Sequence, residues 1–169
     1  MKKNLLIMSE MPQYFVDLAD KNFNTHKLWL QDDEDKFISE IQEKVDAIAV
    51  MGGYKITPEL MKSMTNLKII ACYGVGYDAI DIDYAKSLGI KVTNTPEVLN
   101  DEVADTAIAL MLCVYRKILE ADKFARTNSW INGEFPLTKK FSGSKLGIVG
   151  MGRIGKAIAK RAESFNCTI

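Results

Sequence analysis

The chain has one histidine, three cysteines and four prolines in 169 residues, and its 22 lysines and arginines are matched by 22 aspartates and glutamates. Each scarcity excludes something. Cys72, Cys113 and Cys167 are odd in number, far apart and set in apolar stretches, so neither a disulfide framework nor a metal-ligand cluster is expected and no metal site is assigned. The balanced charge removes the electrostatic basis for binding nucleic acid or an anionic membrane surface. The most apolar stretch after the opening, Ala107 to Val114, falls far short of a bilayer's thickness. The opening itself, "MKKNLLIMSE", has an apolar run only from Leu5 to Met8, too short for the core of a secretion signal. The expectation is a soluble cytoplasmic protein in a reducing compartment, with neither a membrane nor a nucleic acid as partner.

What is there is a chain with 47% hydrophobic residues, enough to bury a core, arranged in short aliphatic runs with helical segments between them. Strands are predicted at Asn4 to Met8, Thr25 to Trp29, Asp46 to Met51, Lys68 to Cys72 and Ile90 to Asn94. Their nearly continuous apolar character suits parallel strands covered on both faces, and the alternation with helices predicts a doubly wound α/β sheet. Start signals precede the helices: Ser9 and Pro12, the acidic run Asp32 to Asp35, Thr57 with Pro58, and Asp81, whose helix Gly89 closes. The acidic run is read as first-turn charge favouring the helix dipole, not as a binding patch.

Beyond "NTPEVLN" the pattern changes. Asp101 to Arg126 reads as one amphipathic helix, capped by Asn100, with Val103, Ala107, Met111, Val114 and Ile118 along one stripe. At 1.5 Å per residue it would run about 39 Å, a length suited to bridging two domains. Residues 127–144, with two glycines, a proline and no period, read as a surface connection.

A new unit opens at Lys145. Lys145 to Val149 is predicted as a strand, Gly150 to Gly155 spells G-M-G-R-I-G, and Lys156 to Ser164 continues as an amphipathic helix. That context is the dinucleotide fingerprint: Gly150 for the tight turn, Gly152 for approach of a pyrophosphate, Gly155 for close packing of helix on strand, with amides from about Arg153 and Ile154 as phosphate donors. The competing reading of these residues is a tight strand-to-helix turn with no ligand.

The text "IIACYGVGYDAIDIDYAKSLGIKVTNTPEVLNDEVADTAIALML", followed by "SGSKLGIVGMGRIGKAIAKR", resembles the D-isomer-specific 2-hydroxyacid dehydrogenases over essentially the whole chain. The resemblance implies a flavodoxin-like substrate lobe over residues 1–99, an interdomain helix over 100–126, a linker over 127–144, and the first βα unit of a Rossmann NAD- or NADP-binding lobe over 145–169. It implies hydride transfer between nicotinamide and C2 of a small 2-hydroxy or 2-oxo acid, in a homodimer. The loop Tyr73, Gly74, Val75 and Gly76 would hold the substrate carboxylate, and Met51, Gly52 and Gly53 would border the same cleft. Gly150, Gly152, Arg153, Ile154 and Gly155 would bind the cofactor.

The family's carboxylate-holding arginine and its glutamate-oriented acid/base histidine correspond to positions downstream of Ile169. No catalytic residue is therefore assigned within the chain, which is expected to be an N-terminal portion, inactive alone. His26 is assigned a structural or solvated role, Arg116 and Arg126 a place on the solvent or partner face of the long helix, and Trp29 and Trp130 a packing role. The alternative is a non-catalytic module that binds a small anion or dimerises through the long helix. A different Rossmann-type enzyme, such as one acting on adenosylhomocysteine, is disfavoured by "GVGYDAID" and "VTNTPEVLNDEVAD".

Overall fold

Five parallel strands organise the first unit of the computed structural model, which describes Met1 to Ile169 and divides into two units, Met1–Pro96 and Glu97–Ile169. The strands β1 (Asn4–Ile7), β2 (Asn24–Lys27), β3 (Ala47–Met51), β4 (Ile69–Tyr73) and β5 (Lys91–Thr93) lie in the order β2-β1-β3-β4-β5. Between them run α1 (Gln13–Asn22), α2 (Glu34–Ile41), α3 (Pro58–Ser63) and α4 (Ile82–Ser87). This is the flavodoxin-like α/β arrangement, whose strand order reverses between β1 and β3.

Two cores explain why the central strands β1, β3 and β4 are mostly apolar, while the edge strands β2 and β5 are not. Leu6, Ile48, Ile70 and Cys72 pack on one face with Val45, Ile56, Met61 and Ala85. Leu5, Ile7 and Ala49 pack on the other with Met11, Val16 and Ala19. Full burial of one such aliphatic side chain contributes about 1.5–3 kcal/mol. The helices start where the small polar residues stand: the side chains of Asp33, Thr57 and Asp81 accept the backbone N–H groups of Lys36, Leu60 and Tyr84. The strand expected to reach Trp29 ends at Lys27, because Leu28–Leu30 turns as a short 3-10 helix that buries Leu28.

The second unit contains α5 (Asn100–Arg116), α6 (Ile118–Arg126), a 3-10 turn (Ser129–Asn132) and α7 (Arg153–Glu163). The single helix expected over Asp101 to Arg126 is two. Lys117 adopts the left-handed conformation, φ 49°, and ends α5; Asn100 is the first helical residue and makes no cap, Leu99 standing at the N-cap. The break has a packing cause that no glycine or proline announces. Residues 127–144 fold back, so that Phe135 meets Phe124 edge-on at 5.3 Å and the Lys139 N–H donates to the Tyr115 carbonyl. Nor is this stretch wholly a surface connection: Phe141 is buried between Tyr115 and Phe165, at 5.4 and 5.2 Å. The strand expected over Lys145 to Val149 does not assemble into a ladder; Lys145 alone bridges Thr168, because a parallel strand needs a neighbour and the unit offers only that residue.

Two outcomes follow for stability. Lys117→Gly relieves a left-handed residue that costs roughly 1–2 kcal/mol while adding glycine's chain entropy of about 0.5–1 kcal/mol, so the urea midpoint rises by the equivalent of about 0.5 kcal/mol; a fall would contradict the break at Lys117. Asp46 accepts from the Asn4 N–H at 2.9 Å and from Lys3 Nζ at 3.0 Å, and these bonds, the backbone one first, hold its carboxyl below the ordinary carboxylate value. A depressed folded-state pKa gives stability that is present above the unfolded value and lost as pH falls. The stability gap between the parent chain and Asp46→Ala is therefore constant from about pH 7 to 5 and closes below about pH 4 in urea titrations.

Candidate functional site

The turns leaving β3 and β4 stand side by side at the carboxyl end of the sheet, next to the point where strand order reverses. They are stitched together. Met51 and Tyr73 are opposite each other in register, and the Gly52 N–H donates to the Tyr73 carbonyl at 3.1 Å. A Cβ added to Gly74 would lie 3.0 Å from the Gly52 Cα and 3.2 Å from its nitrogen, so any side chain there would have to push the two turns apart by a few tenths of an ångström. The Met51 N–H reaches Ser9 Oγ at 3.4 Å, which ties the first turn to the end of β1.

The carbonyls of the second turn are all held from behind. Thr95 N–H donates to the Gly74 carbonyl at 2.9 Å, Asn94 Nδ2 to that of Val75 at 2.9 Å, and Cys72 Sγ to that of Gly76 at 3.4 Å. Cys72 is buried, and burial pushes its thiol above the ordinary value, so it stays a neutral donor. The N–H groups of Gly74, Val75 and Gly76 find no acceptor in the chain. Polar backbone groups demand partners, and three successive free amides at a strand end suit an anion.

A second set of free amides opens α7. Gly152 is its N-cap, and the first turn, Arg153, Ile154 and Gly155, carries N–H groups with no carbonyl to receive them. Gly150 has φ +95°, and a Cβ on Gly155 would collide with the Gly150 carbonyl oxygen, whereas nothing lies within 4 Å of the Cβ position of Gly152. The turn is thus closed from inside by glycine packing and open outside, which fits a dinucleotide's diphosphate. Arg153 Nε pairs with Glu97 at 2.9 Å, both side chains largely exposed. From the inner side of α7, Arg161 bonds Asp101 at 2.9 Å and also Asp105, anchoring α7 to α5 and favouring its own charge.

Of the twelve site residues expected from the sequence, Met51 and Tyr73 end β3 and β4, Gly52, Gly53, Gly74, Val75 and Gly76 form the turns that follow, Gly150 and Gly152 precede α7, and Arg153, Ile154 and Gly155 open it. Ser9, Asn94, Thr95 and Cys72 were not among them: Cys72 reaches Gly76 from four residues before it, and the three-dimensional fold brings Ser9, Asn94 and Thr95 to the turns. His26 lies in β2 against Phe37 and near Asn4 Oδ1 at 3.2 Å, its pKa lowered by burial and by Lys44, away from both turns of the first unit. Arg126 pairs with Asp122, and Arg116 donates to Thr138. Cys72, Cys113 and Cys167 are free thiols.

A parallel α/β sheet with a glycine turn opening a later helix defines a broad class of ligand-binding folds, and comparison with known proteins narrows it. Residues 5–165 match the model of the D-isomer specific 2-hydroxyacid dehydrogenase catalytic domain. The chain belongs to that family. It is 40% identical to glyoxylate/hydroxypyruvate reductase A of Arabidopsis thaliana, over 98% of this chain and 53% of that protein. It is 41% identical to the glyoxylate reductase of Thermococcus litoralis, over 100% of this chain and 53% of that protein. Among solved structures, a 2-hydroxyacid dehydrogenase from Ketogulonicigenium vulgare superimposes with a TM-score of 0.92 at 35% identity, over 99% of this chain and 53% of that one. An NADPH-dependent glyoxylate/hydroxypyruvate reductase from Sinorhizobium meliloti, in complex with NADP and malonate, superimposes with a TM-score of 0.81 at 36% identity, over 99% and 52%. The chain spans about half the length of the curated relatives it matches. No helix is long and apolar enough to cross a membrane.

Gly155→Ala forces the Gly150 carbonyl away from α7. Overpacking of this kind costs about 1–3 kcal/mol, and the variant should lose that much in urea unfolding; unchanged stability would contradict the close packing.

Proposed function

We propose that this chain supplies the 2-oxo acid subsite and the diphosphate subsite of an NAD- or NADP-dependent oxidoreductase, in which hydride passes between nicotinamide and C2 of a small 2-hydroxy or 2-oxo acid. One observation carries the reading: the loop after β4 has every carbonyl tied back and three amides in succession left without acceptors. A carboxylate is a planar acceptor with several lone pairs, and it matches such a cradle without a charged side chain.

In this reading residues 1–99 are the substrate lobe, 100–126 the interdomain segment, 127–144 the linker and 145–169 the start of the cofactor lobe. The amides of Gly74, Val75 and Gly76 hold the substrate carboxylate and thereby fix the position of its C2. The turn Met51–Gly53 borders the acid and limits its side chain. Gly150 and Gly152 let a diphosphate reach the backbone, the first-turn amides of α7 receive it, and Arg153 exchanges Glu97 for phosphate. When bound, the dinucleotide supplies or accepts the hydride. The contribution of these residues is orientation, which is worth a great deal because a misplacement of about 1 Å costs roughly a hundredfold in rate. The exposed apolar side chains of Leu110, Val114 and Leu119 support the homodimer that the family resemblance implies.

The test is an assay of the protein as its gene encodes it, following loss of the dihydronicotinamide absorbance with glyoxylate or hydroxypyruvate. Turnover is expected, and Gly74→Ala, which separates the two stitched turns, should lower kcat/KM on the order of a hundredfold. Absence of oxidation with any 2-oxo acid, or a Gly74→Ala enzyme as efficient as its parent, would overturn the reading.

A further inference from the structure

The mouth of the carboxylate loop carries a pair of tyrosines that the proposed reaction does not use. Tyr73 is the last residue of β4, directly before the three free amides, and its hydroxyl lies 2.6 Å from that of Tyr14. Tyr14 comes from the first turn of α1, which starts at the carboxyl end of β1. The neighbouring Phe15 meets the Tyr73 ring edge-on at 6.4 Å. Both tyrosines remain open to solvent, at 64% and 37% relative exposure.

We infer that Tyr14 and Tyr73 form the element that selects the substrate's third carbon, Tyr14 positioning the Tyr73 ring and the pair favouring a 2-oxo acid that bears a hydroxyl on C3. The inference rests on the carboxylate subsite proposed above. Its argument is one of hydrogen-bond supply. Two phenols offer two O–H donors, and their mutual bond consumes one. One donor and several lone pairs stay unspent, on a pair whose Tyr73 directly precedes the amides that fix the acid's carboxylate.

A hydroxyl on C3 both donates and accepts, so it replaces the water that the pair would otherwise hold. A methyl group in that place removes the water and returns no hydrogen bond, leaving phenolic oxygens unsatisfied. Glyoxylate has no third carbon and leaves the pair in water. The Tyr14 brace matters because an unbraced Tyr73 ring could swing away; the edge-on Phe15 contact and the Tyr14 hydroxyl on its oxygen restrict that swing. The bond also has a signature in solution: it raises the Tyr14 phenol above its ordinary ionisation range, the Tyr73 hydroxyl being the first cause and burial the second.

The experiment compares the parent protein, as its gene encodes it, with Tyr14→Phe and Tyr73→Phe. Steady-state kinetics with hydroxypyruvate and with pyruvate read the selectivity, and the alkaline rise of tyrosinate absorbance reads the pair. The ratio of kcat/KM for hydroxypyruvate over pyruvate should fall about tenfold in either variant, the size of one lost hydrogen bond. Two tyrosines ionise late, Tyr14 through Tyr73 and Tyr54 through burial, and in Tyr73→Phe only the Tyr14 share of that late rise should return to the ordinary range. An unchanged ratio, or an equal loss on both acids, would mean that the tyrosines only pack, and would overturn this inference while leaving the proposed function standing. Turnover of no 2-oxo acid by the parent would overturn both.

Discussion

The candidate site depends on a constraint of backbone accounting. Residues 73–76 leave β4 and turn, and each carbonyl they present is claimed by a donor behind the turn: the Gly52 and Thr95 amides, the Asn94 carboxamide and the Cys72 thiol. A peptide group held by its oxygen cannot turn its N–H inward to find another partner. The amides of Gly74, Val75 and Gly76 are left with nothing in the protein to bond. The free amides are thus maintained by groups behind the turn, and any displacement of β3 relative to β4, or of the Asn94–Thr95 segment, would undo the arrangement.

The glycine turn of the second unit obeys a similar logic by different means. There the free donors come from a helix start, and the loop shape is fixed by close packing of Gly155 under the Gly150 carbonyl. Arg161 adds a second constraint from the far side of the helix, through Asp101 and Asp105 on α5. An exposed pair contributes at most about 1 kcal/mol, but Arg161 is only about a quarter exposed and meets two carboxylates, so it specifies how α7 is rotated on α5. The Arg153–Glu97 pair lies on the open side of the same helix, both partners largely exposed, and it is weak enough to give way to a phosphate.

Much of this was legible beforehand because the signals are local. Apolar runs without alternation spell a sheet covered on both faces, capping residues at 33, 57 and 81 mark helix starts, and glycines at strand ends mark turns that a backbone or ligand must approach. The failures share a cause as well. The break at Lys117 is accompanied by aromatic contacts on both sides of it from residues 18 or more positions away, Phe135 on Phe124 and Phe141 on Tyr115, and the periodicity of the helix runs straight through it. Lys145 to Val149 has strand composition, but a strand is a property of a pair, and composition cannot say whether a neighbour is present. The supporting donor Asn94, and the Tyr14 hydroxyl on Tyr73, join positions that only the strand order β2-β1-β3-β4-β5 brings together, while the Cys72 thiol reaches a carbonyl only four residues on.

The most direct measurement is the amide spectrum of the 15N-labelled protein during titration with oxamate, a stable stand-in for a 2-oxo acid that presents the same carboxylate. The account predicts that the N–H resonances of Gly74, Val75 and Gly76 move furthest and together, to a common saturation point. Saturable binding that leaves these three unmoved and shifts other amides, such as those opening α7, would contradict it.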